Sequence, residues 1–167
     1  MKGKCILVLI FILLFAGCSV KKRIFVITSN GTLFLPFEAA EFLGYFEKVG
    51  VELEEESAGS PQDLLRFLNF SKYSLAVADE ALARKVQKGS ERWLGLCEVA
   101  EDRKGRRYVL LVKEGLLRNK EVLIKVVKGW NLGVESLQDP ALLVALTGKE
   151  VLGGLKFRKC AGKYEAR

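Results

Sequence analysis

The chain has no histidine, one methionine and three prolines among its 167 residues. Without imidazole it has neither the commonest general base near neutral pH nor the commonest zinc ligand. Its four cysteines, Cys5, Cys18, Cys97 and Cys160, form no C-x-x-C pair, so a zinc site is not expected. Asparagine and glutamine are scarce, with four and three copies, beside abundant Lys and Glu. That balance is a weak mark of thermophile proteins. There is no P-loop and no serine-nucleophile motif, and Glu98, Glu101 and Asp102 read as an acidic surface turn. An enzyme is therefore not expected, nor a cofactor or a metal. What the chain does have is apolar: half of its residues are hydrophobic, enough for a core. Lys and Arg number 27 against 20 Asp and Glu, a formal net charge of +7. This excess is spread out and carries no interleaved aromatic stripe, so nucleic acid is not an expected partner. It reads as a solvated surface lying near anionic lipid.

The N-terminal stretch MKGKCILVLIFILLFAGC places Lys2 and Lys4 before an apolar run from Ile6 to Phe15, then Ala16 and Gly17 before Cys18. This is the layout of a secretory signal peptide. LFAGC resembles a bacterial lipobox, with Phe15 standing where Leu is usual. In that reading residues 1–17 are removed, Cys18 is lipidated, residues 18–23 form a tether and the protein sits outside the cytoplasm. An uncleaved anchor helix is the alternative, although the run is short for a span of about 20 residues. Removal of Lys2 and Lys4 would lower the formal charge from +7 to +5.

Beyond the tether, RIFVIT (23–28) reads as a buried strand and SNGT (29–32) as a turn. Residues 37–48 have helical spacing, with Gly50 as the stop. VELEE (51–55) alternates as a half-buried strand. Ser60, Pro61 and Asp63 open a helix through a variant capping box, and Leu64, Leu65, Phe67 and Leu68 form its apolar face. YSLAVA (73–78) is a third strand, and Asp79 caps the helix after it. RWLGLCEVA (92–100) and RRYVLLVK (106–113) are two further strands, joined by a hairpin or a domain crossing. Residues 119–137 predict the longest helix beyond the leader, with Leu123, Val127, Trp130 and Val134 on its covering face. Asp139-Pro140 starts another helix, KEVLGGLKF predicts a last short one, and residues 158–167 are expected to fray. The alternation implies an α/β domain with a mostly parallel sheet of four or five strands, right-handed crossovers and helices on both faces. Cys97 is most simply a buried small hydrophobe, with pairing to Cys160 left open.

In open α/β sheets ligands sit beyond the carboxyl ends of strands. Three such ends are expected to converge: Asn30, Gly31 and Thr32 after the first, Gly59 and Ser60 after the second, Asp79 after the third. A helix start at Ser60 suits a sulfonate, carboxylate or phosphate, whereas Asp79 suits an amine or ring N–H. Each also has a purely structural reading, as an N-cap for Ser60 and Asp79 and as turn chemistry for Asn30-Gly31.

The segment FEAAEFLGYFEKVGVELEEESAGSPQDLLRFL resembles the opening of ABC-transporter substrate-binding proteins of the nitrate, sulfonate and thiamine-precursor type. The match is to a G-Y-F-x-x-x-G-V phrase at Gly44, Tyr45, Phe46, Gly50 and Val51, and to the turn at Gly59 and Ser60. YSLAVADEALA, YVLLVKEGLLRNKEVLIKVVKGWNLGVESL and LTGKEVLGGLKF are similar to later parts of that family. The resemblance covers most of residues 24–157 and implies a single periplasmic-binding-protein-like lobe with C-terminal helices packed on it. It implies weak binding of a small anionic or heteroaromatic solute, and an ABC permease or a second lobe-like protein as partner. The family carries a whole second lobe between LGLCEVAE and YVLLVK; here only DRKGRR stands there. Two other readings are a structural or interaction lipoprotein that keeps the fold without a ligand, and a shortened product without function.

Overall fold

The computed structural model describes residues 21–58, 60–67, 73–88, 93–148 and 154–161. The leader, Cys18, Gly59, Leu68, residues 149–153 of the helix expected over 149–157 and the tail beyond 161 lie outside the described residues.

The first strand, β1 (Lys22–Thr28), buries Ile24, Val26, Ile27 and Thr28. A 3-10 turn (Gly31–Phe34) leads into α1 (Leu35–Phe42), which has Pro36 in its first turn where the missing N–H costs nothing. Gly44, at φ 70°, breaks the helical run expected over 37–48, and α2 (Tyr45–Val49) follows. Then come β2 (Val51–Ser57), α3 (Pro61–Phe67), β3 (Ser74–Asp79) and α4 (Glu80–Lys88). Two strands, β4 (Trp93–Glu101) and β5 (Arg107–Lys113), precede the short α5 (Glu114–Leu117), the long α6 (Lys120–Ser136) and α7 (Pro140–Thr147). A two-residue strand, β6 (Lys156–Phe157), stands where helix was expected.

The sheet is six-stranded in the order β2-β1-β3-β5-β4-β6. Only β1 pairs in parallel, with β2 and with β3. The pairings β3–β5, β4–β5 and β4–β6 are antiparallel. A mostly parallel sheet of four or five strands is thus corrected to a mixed one. The cause is the link between β4 and β5: the five residues 102–106 cannot make the dozen-residue crossover that parallel strands need. They make a hairpin instead. Asp102 ties it, its carboxylate accepting from the N–H of Lys104 at 2.8 Å and of Arg106 at 2.9 Å. Gly105, at φ 74°, supplies the left-handed step.

Helices cover both faces, as the alternation of strand residues requires. Ile24, Val26, Leu75, Val77, Leu110 and Val112 face α1, α2 and α6 across a core containing Phe37, Phe46 and Trp130. Ile27, Ala76, Ala78 and Leu111 face Leu64 of α3 and Leu82 and Val86 of α4. Residues 158–161, expected to fray, are pinned. The Arg158 N–H donates to the Val99 carbonyl at 2.8 Å, and Trp130 Nε1 donates to the Arg158 carbonyl at 2.9 Å. Cys160 is bonded to Cys97 with their Cα atoms 5.5 Å apart. Asn131 completes the clamp, accepting from Cys160 N at 2.7 Å.

Candidate functional site

The three neighbouring strands that pair in parallel, β2, β1 and β3, end at one level. Thr28 pairs with Ser57 on one side and Val77 on the other. The bonds Ala58 N–H to Thr28 O (2.9 Å) and Ser29 N–H to Val77 O (3.4 Å) close this carboxyl edge. The loops bearing Asn30, Gly31 and Thr32, then Ser60, then Asp79, therefore leave the sheet side by side. Gly59 falls outside the described residues, so the second loop is represented by Ser60.

The side chains of Asn30, Ser60 and Asp79 each have a local partner. Asn30 is exposed, and its Oδ1 accepts from Thr32 N at 3.1 Å to cap the 3-10 turn. Ser60 Oγ accepts from Asp63 N at 3.1 Å, the N-cap half of a capping box, and its hydroxyl donates to Asp63 Oδ2 at 2.7 Å. Asp79 Oδ1 accepts from Leu82 N at 3.0 Å at the start of α4. These are short-range bonds within each loop, so the side chains reach a bound solute only through their remaining lone pairs or by giving up a cap.

The edge also carries carboxylates that spacing alone did not single out. The hydroxyl of Thr28, fully buried, donates to Glu55 Oε1 at 3.4 Å, and the Cβ position of Gly31 lies 3.9 Å from the same oxygen. Burial pushes the Glu55 carboxyl above its ordinary value and the nearby Glu38 charge adds to this, against the Thr28 hydrogen bond. Glu38 is raised in turn, first by burial and then by Glu41. The run Glu54-Glu55-Glu56 at the end of a strand was the available signal, but its half-buried alternation reads as solvated charge until Glu38 of α1 is placed beside it. Among the described residues no cluster of three or more Cys, Asp or Glu side chains is arranged to hold a metal.

Beyond β3 the same edge continues as an ion-pair network. Arg107 meets Glu80 at 2.7 Å and Glu98 at 3.8 Å, and Arg158 meets Glu98 at 2.7 Å and pairs with Glu101. Arg106 pairs with Asp102 at 2.7 Å. The acidic turn expected at Glu98, Glu101 and Asp102 is thus neutralised by three arginines, and Glu80 is held below its usual range, chiefly by its hydrogen bond from Arg84.

A cleft of about 220 Å³ lies at the opposite end of β1, lined by Lys22, Arg23, Ile24, Tyr73, Asn119 and Val122. It is at the amino edge of the sheet, where no solute site was expected.

No known family description matches the chain, and no curated protein matches it.

Proposed function

We propose that the chain is a membrane-tethered, extracytoplasmic solute-binding lobe serving an ABC-type import system. The tether is a lipid on Cys18. The observation that carries the reading is the common level of the β1, β2 and β3 carboxyl ends, which gathers the Asn30, Ser60 and Asp79 loops on one edge. Support for an oxidising compartment comes from the Cys97–Cys160 disulfide, since such bonds are rare in cytosolic proteins. Of the two solute classes implied by the family resemblance, a heteroaromatic with amino or ring N–H donors fits the raised carboxylates Glu38 and Glu55. An anion would meet them as like charge. Binding at a single lobe is weak, because one side of the solute stays wet and hydrogen bonds there contribute less. A second protein surface, the permease or another lobe, supplies the missing wall.

Two experiments test this. Fatty-acid labelling of the expressed protein is expected and should vanish in Cys18→Ala; labelling that survives the change removes the lipid tether. Calorimetry of the monomer against sulfonates, nitrate and pyrimidines should give constants near millimolar, about −4 kcal/mol. A second reading, an interaction lipoprotein without a solute, is favoured by the caps that already engage Asn30, Ser60 and Asp79. A panel with no binder at any concentration, together with labelled Cys18, selects that reading.

A further inference from the structure

We propose that the amino edge of the sheet, around the Lys22–Asn119 cleft, docks against the anionic phospholipid surface of the membrane that holds the tether. The docking rests on the membrane-tether reading of the leader. Lys21 precedes β1 and Lys22 opens it at this edge, so a lipid on Cys18 leaves only two residues, Ser19 and Val20, before the basic run. Two extended residues reach about 7 Å, so the edge that holds Lys21, Lys22 and Arg23 stays within one Debye length, about 8–10 Å, of the bilayer. The cations at this edge then strengthen the contact. Arg23, Arg118 and Lys125 are taken up by Glu52, Glu114 and Glu121. Lys21, Lys22 and Lys120 are exposed and make no ion pair among the described residues, although the Lys22 charge is felt by Glu121. The cleft between Lys22 and Asn119 is wide enough, at about 220 Å³, to admit the phosphate end of a headgroup. At the opposite edge Arg106, Arg107 and Arg158 are bound up with carboxylates, while Arg103 and Lys104 of the hairpin are exposed. The short tether therefore brings the Lys21, Lys22 and Lys120 edge, and not the hairpin, to the anionic surface. The consequence for the proposed site is directional: the Asn30, Ser60 and Asp79 loops point away from the lipid.

The test uses the full chain in nanodiscs of phosphatidylcholine alone or with about one-third phosphatidylglycerol, and reads the rate at which an amine-reactive ester acylates individual lysines. Each lysine near an anionic leaflet contributes about fivefold in surface affinity. Lys21, Lys22 and Lys120 should therefore slow at least about fivefold relative to the exposed Lys104 when phosphatidylglycerol is present. The protection should disappear in 1 M salt, where the Debye length is about 3 Å, and Lys22→Gln with Lys120→Gln should remove it from Lys21. Protection that is equal in the two lipids, or equal at Lys104, overturns the docking. Failure of the chain to join phosphatidylcholine discs is a separate outcome: it overturns the tether, and the docking with it.

Discussion

Cys97 and Cys160, 63 residues apart in sequence, are joined across the edge of the sheet, and their bond holds the C-terminal segment against β4 and α6. Closing a loop of that length restricts the unfolded chain by about 4 kcal/mol in the chain-entropy account. Reduction, or Cys160→Ser, should lower unfolding stability by about 2–4 kcal/mol. Urea denaturation with and without a reductant reads this directly. Identical midpoints in the two conditions would show that the bond constrains nothing.

Helix α6 crosses α1 and α2 through Gly129 and Gly133. A Cβ at 133 would lie 1.7 Å from the Pro36 carbonyl oxygen, and one at 129 would lie 2.2 Å from the Phe46 ring. The first obstacle is backbone; the second is a ring that is itself buried. Gly133→Ala should destabilise by about 3 kcal/mol or more and Gly129→Ala by about 1–3 kcal/mol, the range of overpacking. Denaturation of the two variants gives the order, and a Gly133→Ala protein as stable as the wild type contradicts the close approach.

Trp130 is fully buried, with its ring 5.0 Å from Phe37 and 5.9 Å from Phe157, centroid to centroid. Trp130→Ala should cost about 3–5 kcal/mol. It also strands the Arg158 carbonyl, so the protection of residues 158–161 against hydrogen exchange should fall further than that of β1. A loss below about 1 kcal/mol would mark the helix as peripheral.

The carboxyl edge has its own pH signature. Glu38 and Glu55 are raised in the folded state, so they bind protons more tightly there than in the unfolded chain. Their contribution favours folding below the ordinary glutamate range and is lost as pH rises through the raised values. Glu55→Gln, which keeps an acceptor for Thr28, should therefore stabilise the protein slightly at pH 7, by less than about 1 kcal/mol, as expected of an exposed charge. At pH 4 it should have little effect. Thermal unfolding at the two pH values measures it; a loss of stability at pH 7 would mean that Glu55 is held by attraction.

Much of this architecture is legible in the sequence. The periodicity of 119–137 places Leu123, Val127 and Trp130 on the buried face of α6, and Asp139-Pro140 starts α7, where Asp139 accepts from Ala141 N at 2.9 Å. Ser60 caps α3 as its spacing predicts, its Oγ accepting from Asp63 N, while the Asp63 carboxylate takes up the Ser60 hydroxyl. Strand direction is a different matter. Nothing local in YVLLVK tells parallel from antiparallel; the shortness of DRKGRR does, since of a hairpin and a domain crossing only the hairpin fits it. Of the contacts that pin the tail, only the Cys97–Cys160 pairing is open to sequence; Val99, Trp130 and Asn131 lie 28 to 59 residues from their partners and leave no local signal. Glu38 and Glu55 escaped notice for the same reason: the two approach only when α1 folds back over β1 and β2.

The account turns on the carboxyl edge of β1, β2 and β3 being where solute binds, and amide chemical-shift mapping of the monomer with a millimolar amino-substituted pyrimidine tests it most directly. The predicted result is a saturable shift confined to Asn30–Thr32, Ser60–Asp63 and Asp79–Ala81, together with Glu55, at a constant near millimolar. Shifts clustered instead around Lys22 and Asn119, or none at any of these loops, would contradict it.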